Sequence, residues 1–307
     1  IVQSLVGSEM CIRDSHTRAN ILMLIASLIW GTAFVSQTTG MGAIGPFTFS
    51  FGRFFFAFLT VIPFAIYLEQ QNIFKILSDR KKVYLCLATG FFLFGGMGLQ
   101  QYALQKSLIS NAAFLSTLYV PFVGIISRFI IKKQVHWIIW IAILLCLYGS
   151  YLLSSNQSVE IQQSDSLLFI AALFFALHII CIDIFMKELN SPFLFGSIQY
   201  FIVFVLSMIL AFMWEEPKLS NMQIEWFEIL YTGIFSAGIG YTLQIIAQHK
   251  ANPAPAAIIL SMESVFAAIA GWILLNQVLD TQKILGCLAI FIGVIIVQLV
   301  PIIIKQK

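Results

Sequence analysis

The sequence predicts an all-α membrane protein: ten transmembrane helices in two inverted five-helix repeats. Three observations carry this. The 307 residues are 60% hydrophobic and only 10% charged, with a mean hydropathy of +0.93, whereas soluble domains carry about 25% charged residues. The apolar residues fall into runs of the roughly 20 residues that a helix needs to cross a bilayer. Finally, residues 87–135 recur at 230–278 with an offset of 143. Thr89-Gly90 returns as Thr232-Gly233, Phe92 as Phe235, Gly95 as Gly238, Gln101 as Gln244, Gln105 as Gln248, Ala113 as Ala256 and Gln134-Val135 as Gln277-Val278. Helices are the expected spanning element because hydrocarbon offers backbone groups no partner. The unbroken apolar runs do not show the alternation of a transmembrane β-barrel.

Taken in order, the spans are expected at 20–38, 47–68, 83–103, 108–131, 136–153, 166–186, 193–214, 226–248, 255–275 and 281–304 (spans 1 to 10). Residues 1–19 form a leader or cloning remnant plus the N-terminal segment. Ile1 to Ser15 mix polar and apolar residues without helical period, and are set aside from the fold. The run Ile21 to Val35 lacks a small-residue cleavage site and is a retained first span. Gly40, Gly42, Gly45 and Pro46 separate spans 1 and 2, and the charged stretch Ser78–Lys82 precedes span 3. The first repeat covers 20–153, a polar linker 154–165, and the second repeat 166–304. Pro192, Pro217 and Pro253 sit just outside spans, where proline breaks no helix. Five spans per half place the second half upside down relative to the first, the architecture of alternating-access transporters.

Orientation is read from Lys and Arg. Arg13, Arg18, Lys75, Arg80, Lys81, Lys82, Arg128, Lys132, Lys133, Lys187, Lys250, Lys305 and Lys307 fall on the side of the N-terminus, against Lys106, Lys218 and Lys283 on the other. Positive residues accumulate on the cytoplasmic side, so both termini are expected in the cytoplasm. Basic residues spread over loops are no nucleic-acid surface. The cysteines Cys11, Cys86, Cys146, Cys181 and Cys287 show no CxxC pairing, which argues against a disulfide frame or zinc site. No P-loop, HExxH, GxSxG or dinucleotide fingerprint occurs, so no cofactor is expected.

The first helix pair repeats more weakly. Ala26-Ser27-Leu28-Ile29-Trp30-Gly31 is similar to Ala171–Ala176, while Pro46-Phe47 and Arg53 fall opposite Pro192-Phe193 and Gln199. Trp30-Gly31, Pro46 with Arg53, Met262-Glu263-Ser264-Val265-Phe266-Ala267-Ala268, Gly149 and Gly293 together resemble the ten-helix EamA-type branch of the drug/metabolite transporter superfamily. The resemblance covers about 20–304. Two departures stand out: Ser264 replaces a proline, which puts a kink there in question, and Gln134 and Gln277 replace glutamates. The resemblance implies transport of small metabolites, amino acids and related amphipathic solutes among them, with outward movement expected.

Polar groups inside spans are costly and tend to line cavities or pair. At about 1.5 Å per residue, Glu263 and His178 each lie about 12 Å from the cytoplasmic end of spans 9 and 6. They are expected to share a central cavity, as a titrating or amine-binding pair or as packing contacts. Arg53, about 9 Å inside the outer end of span 2, either snorkels or binds a substrate carboxylate. Trp30, Tyr119 and Tyr241 lie near mid-depth, and Gln101 and Gln244 occupy equivalent sites. All eight are cavity candidates. Asp183, four residues before Lys187, reads as a surface ion pair. Symmetry breaks at Glu263, opposite Val120, and at Arg53, opposite Gln199. Residues kept in both halves read as scaffold.

The function expected is therefore a secondary transporter or facilitator of a small-molecule substrate in a bacterial-type cytoplasmic membrane. Protons are a candidate coupling ion, and the chain acts as a monomer or homodimer in the lipid bilayer. The alternatives are an intramembrane enzyme and a passive channel. Only His178 of the four histidines lies deep in a span, which disfavours a metal enzyme. No charge ring or filter repeat marks a channel.

Overall fold

The computed structural model describes the backbone of residues 2–106, 109–154 and 163–305, and the side chains of 17–106, 112–154 and 166–299. The predicted linker at 154–165 therefore lies largely outside the described residues. The described elements are helical, without strands. Ten are long and apolar enough to cross a membrane: Thr17–Thr39, Pro46–Leu77, Arg80–Leu104, Ala112–Ile130, Trp137–Ser154, Ser166–Glu188, Pro192–Trp214, Trp226–Gln248, Pro253–Leu275 and Thr281–Leu299. These bounds define spans 1 to 10 below. The face on which span 1 begins is the N-face.

The expected boundaries differ from the observed ones chiefly at two places. The first helix is continuous from Val2 to Thr39, whereas the sequence reading found no helical period before residue 15. Span 2 runs on beyond Glu69 through a 3₁₀ turn, Gln70–Asn72, into a short helix, Ile73–Leu77. Pro46, Pro192 and Pro253 occupy first-turn positions rather than lying outside their spans, because a proline there removes only an N–H that has no helical partner. Asp79 caps span 3 by accepting from the Lys81 N–H at 2.9 Å, and its ion pair with Lys82 at 2.5 Å helps hold its carboxyl below the usual carboxylate range.

The two halves interleave. Spans 3 and 4 pack on span 6, and in the mirrored arrangement spans 8 and 9 pack on span 1. Span 2 lies along span 7, and span 5 along span 10. Lipid tails are as apolar as the side chains, so association depends on close van der Waals fit, which small residues permit. The repeated glycines occupy such contacts. A Cβ on Gly90 would overlap Ile202 of span 7, and one on its repeat partner Gly233 would stand 2.8 Å from the Arg53 carbonyl in span 2. Gly149 and Gly286 meet backbone to backbone where spans 5 and 10 cross.

Gly31 sets the most consequential of these contacts. A Cβ there would stand 2.8 Å from both the Glu263 carbonyl and the Ala267 N–H. The Trp30-Gly31 pair thus packs directly on the 262–268 segment. We expect Gly31→Val to destabilise the protein by about 1–3 kcal/mol through overpacking and to displace Glu263. Gly98→Ala is the control, since a Cβ there meets nothing closer than 3.6 Å. Thermal unfolding in detergent should separate the two variants; equal midpoints would contradict the packing account.

Candidate functional site

The site begins with two interrupted helices. Span 4 is broken at Leu118, between Ile109–Thr117 and Tyr119–Ile125. Span 9 is broken at Ser261, between Pro253–Leu260 and Met262–Leu275. The two breaks are 143 residues apart, the offset of the internal repeat. The backbone tightens at both: Leu118 N–H donates to the Leu115 carbonyl at 3.2 Å, and Ser264 N–H to the Ser261 carbonyl at 3.1 Å. The break in span 9 exists without a proline at 264. There the Ser264 hydroxyl instead bonds Thr117 at 2.9 Å, tying one break to the other. Leu118 and Ser261 keep right-handed helical torsions, so each break is a local tightening of a continuous span, and such irregularities at matching positions of two halves point to a binding site in such folds.

Tyr119 follows the first break directly, and Glu263 comes two residues after the second. A third irregularity faces them: Thr232–Gly240 of span 8 is π-helical, a conformation concentrated at functional sites. Its counterpart in span 3 is regular α-helix.

Between these segments lies a cavity of about 50 Å³. Trp30, Arg53, Tyr119, His178, Tyr241, Gln244 and Glu263 all line it, together with Gln37, Gln100, Ser116, Ser236 and several apolar residues. Seven of the eight residues singled out from the sequence thus meet in one place. Gln101 does not. It is fully buried against span 1, donating to the Gln37 carbonyl at 3.0 Å, and the adjacent Gln100 takes the place on the cavity wall.

Arg53 is the electrostatic centre. Its side chain does not snorkel: the residue is 1% exposed. Nη1 donates to Gln37 Oε1 at 3.0 Å and Nη2 to Ser236 Oγ at 2.8 Å, while Nε is buried without a partner. The fork is therefore oriented by two neutral groups, one from each half, and no carboxylate neutralises it. Glu263 lines the same cavity and is only partly buried. The described ion pairs are Lys81–Glu188, Lys82–Asp79, Lys133–Asp183 and Lys187–Asp183; Arg53 and Glu263 are not among them, so their charged atoms are more than 4.0 Å apart. An unpaired buried charge is costly and is retained where function needs it.

The remaining groups arrange the walls. Trp30 Nε1 donates to the Ser236 carbonyl at 3.0 Å, and its ring lies 4.7 Å from Tyr241. Tyr241 donates to Met97 Sδ at 2.9 Å and stands edge-on to His178. Gln199 Nε2 donates to the Phe195 carbonyl, so Gln199 Oε1 accepts from His178 Nε2 at 2.8 Å. This assigns the Nε2–H tautomer. Gln244 donates to Gln248 and leaves its Oε1 buried and unpartnered. The Tyr119 hydroxyl lies beside Glu263 without a hydrogen bond of ordinary geometry.

Asp183 departs from expectation. Its side chain is 1% exposed, held between Lys187 at 2.8 Å and Lys133 of the span 4–5 connection. It is a buried carboxylate held by two solvent-reaching lysines rather than a surface pair, because the connection folds back over it.

Of the residues missed from sequence, Gln37, Gln100, Ser116 and Ser236, the last three had a usable signal. Gln100, Ser116 and Ser236 stand opposite Leu243, Ile259 and Leu93 at the repeat offset, as Glu263 stands opposite Val120. Polar residues with apolar repeat partners mark the cavity.

The EamA-like transporter family model matches residues 17–155 and again 163–299. The chain is 29% identical over 281 residues to an uncharacterized transporter of Archaeoglobus fulgidus, covering 92% of this chain and 86% of that one. It is 22% identical to the uncharacterized transporter YoaV of Bacillus subtilis, over 89% of this chain and 94% of that one. Its fold is similar to a crystal structure at a TM-score of 0.78 and 16% identity, covering 92% of this chain and 97% of that one. With ten apolar helices and a family match repeated in both halves, this integral multi-pass membrane protein belongs to the EamA-like transporter family.

Proposed function

We propose that the protein is an alternating-access secondary transporter of small zwitterionic metabolites, amino acids and related amphipathic solutes, working outward across the cytoplasmic membrane. The observation that carries this reading is the unpaired couple of opposite charges, Arg53 from the first repeat and Glu263 from the second, on one cavity wall. A substrate carboxylate meets the Arg53 fork, whose Nε and planar geometry suit bidentate recognition. The ammonium meets Glu263, with Trp30 and Tyr241 offering aromatic faces nearby. The repeats, taken as 20–153 and 166–304, rearrange around this point, and the excess of Lys and Arg on the N-face supports a cytoplasmic location for both termini. Protons are the coupling ion in this reading, with Glu263 the group that exchanges them.

The test is counterflow in proteoliposomes against a panel of zwitterionic, cationic, anionic and neutral metabolites, with and without a pH gradient. Accumulation of a zwitterion supports the reading, and stimulation by the gradient supports coupling. Chemical conversion of a solute would indicate an enzyme, and non-saturable flux of all solutes a channel; either result would overturn the proposal.

A further inference from the structure

Spans 2 and 7 are repeat partners that lie antiparallel along each other, and each ends in a carboxylate that holds the start of the other. Glu215, at the end of span 7, accepts from the N–H groups of Phe47 and Thr48 at 2.9 and 2.6 Å. Glu69, towards the N-face end of span 2, accepts from those of Phe193 and Leu194 at 3.4 and 2.8 Å. The chemistry is the same at both ends. Pro46 and Pro192 have no N–H, so the next two amides are the first free donors. Neither helix has a side-chain cap of its own, and the positive end of a helix favours a carboxylate. Both glutamates also leave helical geometry in the same way, at φ −130°, ψ 8° for Glu69 and φ −124°, ψ −10° for Glu215.

Each clasp has a second tie beside it. At the far face Asn221 donates to the Ala43 carbonyl at 3.2 Å and Glu225 accepts from the Ala43 N–H at 2.7 Å. At the N-face Asn72 donates to Ser191 Oγ at 2.8 Å. Between the clasps, aromatic contacts run the length of the pair: Phe47–Trp214, Phe51–Phe204, Phe54–Tyr200, Phe58–Phe201 and Phe64–Phe193. Span 2 stays continuous from Pro46 to Glu69 despite Pro63, and span 7 from Pro192 to Trp214, whereas spans 4 and 9 carry the tight turns and spans 4 and 8 the π-helical stretches Ile126–Ile130 and Thr232–Gly240.

We infer that Glu69 and Glu215 lock spans 2 and 7 into an axle that stays joined at both faces while the irregular spans 4, 8 and 9 move to open the cavity. They are positioning residues: they hold span 2, and with it Arg53, fixed against the moving wall. The inference rests on the alternating-access reading. Its rival is that each clasp is a gate that parts when its face opens.

The experiment uses full-length protein in vesicles of both orientations, with the native cysteines replaced and Ser116→Cys placed on the cavity wall. A membrane-impermeant methanethiosulfonate ammonium reagent labels it from either face. Cysteines at Phe64 with Phe193, and at Phe47 with Trp214, are then joined by a short bifunctional thiol cross-linker before Ser116→Cys is probed. The axle predicts that labelling from both faces persists with either or both cross-links in place. It also predicts that Glu69→Ala with Glu215→Ala weakens two-face labelling and that cross-linking restores it. Loss of labelling from one face by about tenfold or more on cross-linking that end would identify a gate and overturn the inference. Labelling from only one face before any cross-link would remove the alternating-access reading, and the axle with it.

Discussion

Arg53→Gln is expected to reduce transport by at least about thirtyfold, since truncating one member of a buried, hydrogen-bonded charge contact costs about 2–5 kcal/mol. The same change should leave thermal stability unaltered or raise it. Arg53 donates to Gln37 and Ser236 and lies over the Phe54 ring, none of which is a counter-charge, so its charge is desolvated and a neutral side chain of similar shape relieves that cost. Falling transport with rising stability is a signature that a structural arginine does not give. Arg53→Lys keeps the charge but loses the planar fork, and should be intermediate. Initial counterflow rates together with unfolding midpoints in detergent decide the matter. Parallel loss of both would show that Arg53 holds the fold.

Glu263→Gln is the second change with a large expected effect. It preserves volume and leaves the contact between Gly31 and the Glu263 backbone intact, so the variant should fold. It removes the one carboxylate on the cavity wall. Transport of a zwitterion should fall by a similar factor, at least about thirtyfold, and whatever pH dependence the wild type shows should flatten. His178→Ala is expected to act more weakly, because His178 reaches the cavity while already bonded to Gln199. If Glu263→Gln left both rate and pH profile unchanged, the carboxylate would be a packing group and the ammonium site would be lost from the account.

Much of this architecture was legible in the sequence. Ten spans and their pairing into halves followed from apolar runs and from the 143-residue repeat, because hydrocarbon imposes length and internal hydrogen bonding on every crossing. The cavity was legible through residues that break symmetry: Glu263 against Val120 and Arg53 against Gln199. Gln101 misled for the same reason in reverse. It is kept in both halves as Gln244, but span 3 is regular where span 8 is π-helical, so equivalent residues point differently. The mutual capping of spans 2 and 7 was hidden because Glu69 and Glu215 each lie 23 residues beyond Pro46 and Pro192, respectively, and act on the opposite repeat. Asp183 misled because spacing alone reveals the i,i+4 lysine but not Lys133 arriving from another connection.

The central claim is that Arg53 and Glu263 read the two ends of one zwitterion. The most direct measurement compares counterflow of a transported amino acid with that of its amide and its des-amino acid, in wild type, Arg53→Gln and Glu263→Gln. The account predicts that wild type rejects both analogues, that Arg53→Gln loses discrimination against the amide alone, and that Glu263→Gln loses it against the des-amino acid alone. Equal discrimination in all three proteins would contradict it.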